Sequence, residues 1–371
     1  MTVRITKPEF NLREELSELD RPVGLHGNEI LRSETPQSTF DLVGTGRKNM
    51  VINGGMVISQ RYGTSEHTPS HTQHVLDRMS FDVHVSSKLK AQQVTDAPTG
   101  FSHSMKVTSL SAHSTVSNNY FLMQYFVEGN DSARLKWGTS EAQPVTLSFY
   151  VKSSLAGTHA CGIRNSDYNR SITKTYTIDQ TDTWEYKTVT FPGDRTGTWK
   201  TDENAGLKIN FDLGSGSDFD AASTGTWLAT NDFITSNSVK VVGTNAATWY
   251  ITGIQLEVGD TATSFEHRSY ADELARCQRY YEDTFVMTDA GNNYVRVPVL
   301  YKVEKRAAGN PVSYAKRPDG VGTGAANKAY QANGERSATC NYSWTGGTML
   351  YVSGYSQDYD CFGNIRVEAD L

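Results

Sequence analysis

Trp249-Tyr-Ile-Thr-Gly-Ile-Gln-Leu-Glu-Val-Gly-Asp-Thr-Ala-Thr-Ser-Phe-Glu-His-Arg268 is an alternating strand that breaks at glycine and runs toward a short amphipathic helix. Along it Tyr250, Ile254, Leu256 and Val258 fall on one face and Gln255 and Glu257 on the other, so one side suits burial and the other water. The pattern is that of the closing strand of a sandwich.

Working outward, further strands are expected at Ser104–Ser109, Phe121–Phe126, Val145–Lys152, Trp184–Phe191 and Leu207–Leu213, separated by turn-rich stretches. Two alternate cleanly. Val145, Leu147, Phe149 and Val151 oppose Thr146, Ser148, Tyr150 and Lys152, while Leu207, Ile209, Phe211 and Leu213 oppose Lys208, Asn210 and Asp212. One buried and one wet face per strand predicts two antiparallel sheets packed face to face. The composition agrees, since 31 Gly, 19 Tyr and 14 Phe against 10 Pro suit many short strands joined by polar turns.

At 371 residues the chain exceeds one ordinary domain. Residues 1–48 are expected to form a helical arm and linker, 49–268 the sandwich, 269–285 a connecting helix and 286–371 a small C-terminal β domain. In the arm, Thr6-Lys7-Pro8-Glu9 fits a capping box, and Ile5, Leu12, Leu16 and Leu19 follow as a narrow apolar seam until Pro22 and Gly24 stop it. One helix of about twelve residues is marginal alone in water. It docks either on its own domain or in a bundle and larger assembly. In the connector, Tyr270, Leu274, Cys277 and Tyr281 share a stripe on a helix expected to run to about Asp283.

The net charge of −6 comes from intermixed acids and bases, so no basic field invites nucleic acid. No apolar run is long enough for membrane insertion, and a soluble protein made in the cytosol is expected. Cys161, Cys277, Cys340 and Cys361 show no metal-ligand spacing and are expected as free thiols; Cys340 and Cys361 are the one pair close enough in sequence to bridge.

The Gln-Leu-Glu-x-Gly segment, followed by a helix ending in Arg279-Tyr280-Tyr281, resembles the last strand of the jelly-roll, carbohydrate-binding-module-like domains of tailed-bacteriophage fibre and virion proteins. Met50-Val-Ile-Asn-Gly-Gly-Met-Val-Ile-Ser-Gln-Arg61 resembles the opening of the same domains, with Gly55 and Met56 replacing the usual acidic residue and aromatic. Leu76-Asp77-Arg78-Met79 is similar to their Asp-Arg-Trp step, and Val303-Glu-Lys-Arg-Ala-Ala and the terminal Glu-Ala-Asp-Leu to the domain after the helix. The resemblance implies a mainly β virion protein with an N-terminal helical arm, an antiparallel jelly-roll β-sandwich, a connecting helix and a C-terminal β tip.

Chemistry is sparser. Asp218 and Asp220 lack the ligand series of a calcium loop, and Pro69 disfavours a regular helix through His67, His71 and His74, so polar turns are expected and no metal or cofactor. Asp358 and Asp360 are the closely spaced acids beside aromatics that a depolymerase would need, but surface acids are the simpler account. No Gly-x-Ser-x-Gly turn or phosphate loop is present, and the chain is not expected to be an enzyme. Aromatic rings that could lie against sugars are Tyr342, Trp344, Tyr351, Tyr355 and Tyr359 in the tip, with Trp199 or Trp227 in the sandwich loops, while Trp137, Trp184 and Trp249 beside strands are expected in the core. The expectation is a virion-located tail fibre or spike: a homotrimer joined to other virion proteins through its arm, binding host surface polysaccharide at its distal domains. A capsid decoration protein is the alternative.

Overall fold

The computed structural model describes residues 48–288, 294–307, 312–314, 328–331, 334–344, 347–353 and 361–369. The arm residues Ile5, Leu12, Leu16 and Leu19 lie outside them. The chain divides between Lys48 and Asn49 into two compact units, and every described strand and helix belongs to the second, Asn49–Leu371.

Eleven strands build two antiparallel sheets. The six-stranded sheet runs β1 (Gln73–Leu76), β2 (Met79–Val83), β5 (Phe121–Glu128), β10 (Ala205–Asp212), β7 (Gly157–Asn165) and β8 (Ser171–Ile178) in spatial order. The five-stranded sheet runs β3 (Leu89–Val94), β4 (Ser104–Ser109), β11 (Thr248–Val258), β6 (Val145–Ser153) and β9 (Glu185–Phe191). Between them lies the core. The predicted inward residues of β6 and β10, from Val145 to Val151 and from Leu207 to Leu213, are fully buried there. Phe149 stands edge-on to Phe211 and to Tyr176, at 5.0 Å from each, and the Trp249 indole donates to the Tyr176 hydroxyl at 3.3 Å. Fully burying each such ring contributes about 1.5–3 kcal/mol.

The deciding strand departs from simple alternation. Trp249 and Ile251 point into the core, then Ile254 and Leu256, while Tyr250 is half-buried outside and Val258 is 41% exposed. The register explains the change of parity: Thr252 pairs with Tyr150 but Gln255 with Ser148, so Gly253 and Ile254 together oppose one residue in a β-bulge. Gly253 has φ +63°, and a Cβ there would meet Phe101 Cζ at 2.7 Å. Gly253→Ala is therefore expected to cost about 2 kcal/mol, read as a lower urea midpoint; an unchanged midpoint would mean the bulge relaxes freely.

Gln255 and Glu257 are not wet either. Gln255 Oε1 accepts from Glu266 N at 2.8 Å, and Glu257 accepts from Thr263 N at 2.8 Å and Thr263 Oγ1 at 2.6 Å, so the segment after the strand folds back over it. Asn49 ties the other end of the domain to the same seam, its Oδ1 accepting from Leu256 N at 3.1 Å, while Arg268 Nη2 donates to Asn49 O at 2.7 Å. The motif is a clasp joining the first and last segments of the sandwich. Its opening half, Asn49–Tyr62, forms turns rather than a strand. Asn53 and Met56 both have φ near +60°, and the Asn53 side chain bonds both Ile58 N and Ile58 O.

Helices α1 (Gly129–Ser132) and α2 (Tyr270–Gln278) are short. The Ser269 hydroxyl caps α2 by accepting from Asp272 N at 3.2 Å. The helix stops at Gln278 rather than near Asp283, because Tyr280 and Tyr281 are pulled into packing of their own. Arg78, in the β1–β2 turn, lies 3.6 Å from the Tyr280 ring centroid, and Arg61 lies 3.8 Å from that of Tyr281. Tyr281 instead opens β12 (Tyr281–Thr288) of a seven-stranded antiparallel sheet. With it stand β13 (Tyr294–Leu300), β14 (Val312–Tyr314), β15 (Lys328–Gln331), β16 (Gly334–Trp344), β17 (Gly347–Ser353) and β18 (Cys361–Glu368). Cys161, Cys277 and Cys340 form no disulfide among the described residues. No helix among the described residues is long and apolar enough to cross a membrane.

Candidate functional site

Strand pairing places a polar row across the outer face of the six-stranded sheet. His74 pairs with Ser80, Ser80 with Gln124, Gln124 with Asn210, Asn210 with Gly162, and Gly162 with Thr173. Directly paired residues share a face, so these positions form one line over six strands, with side chains from five of them and a gap at Gly162. The neighbouring row is Phe126, Lys208, Arg164 and Ser171. The simple alternation of β10 predicted water here. Instead Ser80, Gln124, Asn210, Thr173, Arg164 and Lys208 are all at most 6% exposed. The covering segments cause this. Tyr168, in the β7–β8 turn, and Asn231 and Phe233 lie over the row.

The polar groups converge without saturating one another. Arg164 Nη2 and Gln124 Nε2 both donate to Asn210 Oδ1, at 2.8 and 3.2 Å, and Arg164 Nη1 donates to Asn231 Oδ1 at 2.7 Å. Arg164 Nε, Ser80 Oγ and Thr173 Oγ1 are buried with no hydrogen-bond partner among the described residues. Leaving such a group unpaired costs about 1–3 kcal/mol, a reason to look for a ligand. The Lys208 ammonium lies 3.7 Å from the Tyr168 ring centroid and 5.2 Å from that of Phe126, with no hydrogen bond to a described residue.

Both cations are electrostatically uncomfortable. Burial pulls Arg164 down to about 10. Burial, then the adjacent Arg164 charge, pull Lys208 down to about 8, with Asp82 acting the other way. Asp82 Oδ1 lies 2.7 Å from His71 Nδ1 but is buried with no hydrogen-bond partner among the described residues. Tyr168 holds φ +56°, a strained value for an aromatic residue, and keeps its ring over the ammonium while 44% exposed. An accessible ring beside a floor of donors and acceptors can stack on a sugar and fix its hydroxyls.

Two other surfaces were candidates. On the outer face of the five-stranded sheet Tyr150 and Tyr186 lie 5.0 Å apart, and Tyr250 lies 6.1 Å from Trp184, which is half-exposed rather than in the core. There the polar groups serve each other, because Asp96 takes both the Lys152 ammonium and the Trp184 indole N–H. At one end of the sandwich a pocket of about 440 Å³ is lined in part by Trp137, Trp199 and Leu207. Trp199 and Trp227 stand edge-on to Trp137 at 4.7 and 5.2 Å, and their indole N–H groups are spent on Asp194 and Pro192 O. These half-buried tryptophans brace loops. The outer face of the six-stranded sheet is the one with unspent polar capacity.

Of the residues expected at the tip, Tyr342 and Trp344 are on β16 and Tyr351 on β17, with side chains outside the described part; Tyr355 and Tyr359 lie outside the described residues altogether, as do Asp358 and Asp360. The histidines do not gather: His67 stacks on Tyr62 at 3.9 Å, His71 meets Asp82, and His74 is buried beside Ser80. No group of three or more metal-ligating side chains forms among the described residues.

The two stacked sheets make this an antiparallel β-sandwich protein. No protein-family profile and no curated protein matches the chain. Solved structures similar to it include the enzymatically active domain of tailspike protein 4 from bacteriophage CBA120, with TM-score 0.33 and 11% identity over 57% of this chain and 21% of that one. The chain thus spans about a fifth of that tailspike domain. Also similar are TmCBM61, solved in complex with β-1,4-galactotriose (0.29, 10%, 57% and 99%), and a family 11 carbohydrate-binding module of a Clostridium thermocellum cellulosomal cellulase (0.27, 14%, 54% and 99%).

Proposed function

We propose that this chain is a non-catalytic glycan-binding protein whose sandwich holds an oligosaccharide on the outer face of the six-stranded sheet. The observation that carries the reading is the buried polar row Ser80–Gln124–Asn210–Thr173 with unspent hydrogen-bonding groups, flanked by the accessible Tyr168 ring. Sugars offer alternating hydroxyls and an apolar ring face, which this arrangement matches. This reading seats the glycan on the sandwich, whereas the side chains of the expected tip aromatics lie outside the described part.

The setting we propose is a phage virion fibre or spike, trimeric through the seam Ile5, Leu12, Leu16 and Leu19, attached to other virion proteins by its arm and presented to host polysaccharide. The clasp motif Gln255–Glu257 and the Arg279-Tyr280-Tyr281 ending, both similar to phage virion domains, support that setting. A monomeric solution mass for the full-length chain would remove the trimer. Immunogold labelling of particles would show label on appendages; even labelling of the capsid would favour decoration.

Binding is tested by affinity electrophoresis of the full chain through gels containing bacterial surface polysaccharides. Retardation is expected, with Tyr168→Ala weakening it about tenfold, the effect of losing one stacked ring worth ~1.4 kcal/mol. Equal retardation of the variant would place binding elsewhere, and no retardation on any polysaccharide would overturn the reading.

A further inference from the structure

Lys208 on β10 and Arg164 on β7 are directly paired, so two like charges stand side by side on one face of the sheet, an arrangement that is destabilising by itself. Both lie against the same ring, their cationic centres 3.7 and 5.3 Å from the Tyr168 centroid. Neither has a carboxylate as hydrogen-bond partner among the described residues. Arg164 donates to two neutral amides, and Lys208 makes no hydrogen bond to any described residue. Of the acids nearby, Asp167 pairs with Lys200 at 3.2 Å, and Asp82, whose Oδ1 stands 2.7 Å from His71 Nδ1 without a hydrogen-bond partner, acts on the two cations only through space. An uncompensated buried charge is costly, and a bound anion would relieve that cost. The unpartnered Arg164 Nε, in a residue 2% exposed, supplies a further directed donor.

Resting on the glycan-binding reading, we infer that the glycan is acidic, with an anionic substituent of one sugar ring seated between the Lys208 ammonium and the Arg164 guanidinium. Tyr168 covers the same sugar. The shared chemistry is an oxyanion on a pyranose, carried either as a uronate carboxylate or as a phosphate ester.

Affinity also carries a pH signature. The groups acting on Lys208 are Arg164, Asp82, Lys200 and Asp167, with the Tyr168 ring above it. Its pKa of about 8 means that the free protein loses this cation as pH rises from 7 to 9. Binding of an anion weakens over that range, and binding of a neutral sugar does not.

The test is an array of uronate-bearing, phosphate-bearing and neutral bacterial polysaccharides probed with the full chain. Retention confined to acidic members is expected, lost after carboxyl reduction if the anion is a uronate or after dephosphorylation if it is a phosphate ester. Lys208→Met is expected to weaken binding at least tenfold while melting higher than the parent, since it keeps the volume and removes the cation. Retention on neutral members, or survival of binding after both treatments, would overturn the acidic assignment and leave glycan binding standing. Retention on no member would remove both. Unchanged acidic binding by Lys208→Met would place the anion at another site.

Discussion

Glu128→Ala is expected to destabilise the protein by about 2–4 kcal/mol at neutral pH, the low side of the range for opening a buried ion pair because Arg279 partly reaches solvent. Glu128 ends β5 and is 3% exposed. Its carboxylate accepts from Arg279 Nη2 at 2.7 Å, Tyr280 Oη at 2.8 Å and Asn130 Nδ2 at 3.1 Å. The Tyr280 carbonyl in turn accepts from Ala369 N at 2.7 Å, so this one acid ties the sandwich to the connector and the last strand region. Burial pushes the carboxyl up, but the bonds from Arg279, Tyr280 and Asn130 outweigh it and hold it below the ordinary carboxylate range. A depressed pKa in the folded state gives stability that is present above the unfolded value of 4.5 and lost as pH falls through the folded one. The penalty should therefore shrink on acidification. Urea midpoints at pH 7 and pH 3 measure it, and equal penalties at both would show that packing, not charge, is what the alanine removes.

Asp212→Asn is expected to act in the opposite direction. Asp212 is 1% exposed, and its Oδ1 accepts from Ser215 N at 2.8 Å and Gly214 N at 3.1 Å. Burial pushes its carboxyl up to about 6 despite those bonds. Between the unfolded value of 3.8 and the folded value of about 6 the native state binds more protons, so stability falls as pH rises through that window. An asparagine oxygen accepts the same two N–H groups without the charge. The variant should gain on the order of 2–3 kcal/mol at pH 7.5, from roughly two pKa units at ~1.4 kcal/mol each, and almost nothing at pH 4. Thermal unfolding at the two pH values decides it; lower stability at pH 7.5 would mean that the charge-assisted bonds to Gly214 and Ser215 exceed the burial cost.

Asp212, Asn210 and Lys208 also show where reading the chain stops. Their alternation with Leu207, Ile209, Phe211 and Leu213 is legible, and the apolar members are in the core as expected. The polar members are expected in water because a period of two says which residues share a face, not what else covers it. Cover comes from distant segments, Asn231 and Phe233 among them, which no local pattern announces. Arg164 escapes for a different reason. It sits in Gly157–Asn165, whose apolar alternation is too weak to mark a strand. The strand after it carries a signal, since Ile172, Tyr176 and Ile178 all fall on one face, and the hairpin would then draw in its partner.

The class of fold is written in the chain locally, because two-residue periodicity in β6, β10 and β11 commits those segments to sheets with an apolar face. The chain also carries the Gln255–Glu257 clasp, though as a resemblance rather than as a role. Long-range packing sets the parity switch at Gly253, since a bulge exists only against a partner strand. It also brings Ser80, Gln124, Asn210 and Thr173, from four strands distant in sequence, into one row. Such a row is a product of register, and register is set by the packing of whole sheets rather than by any stretch of chain within them.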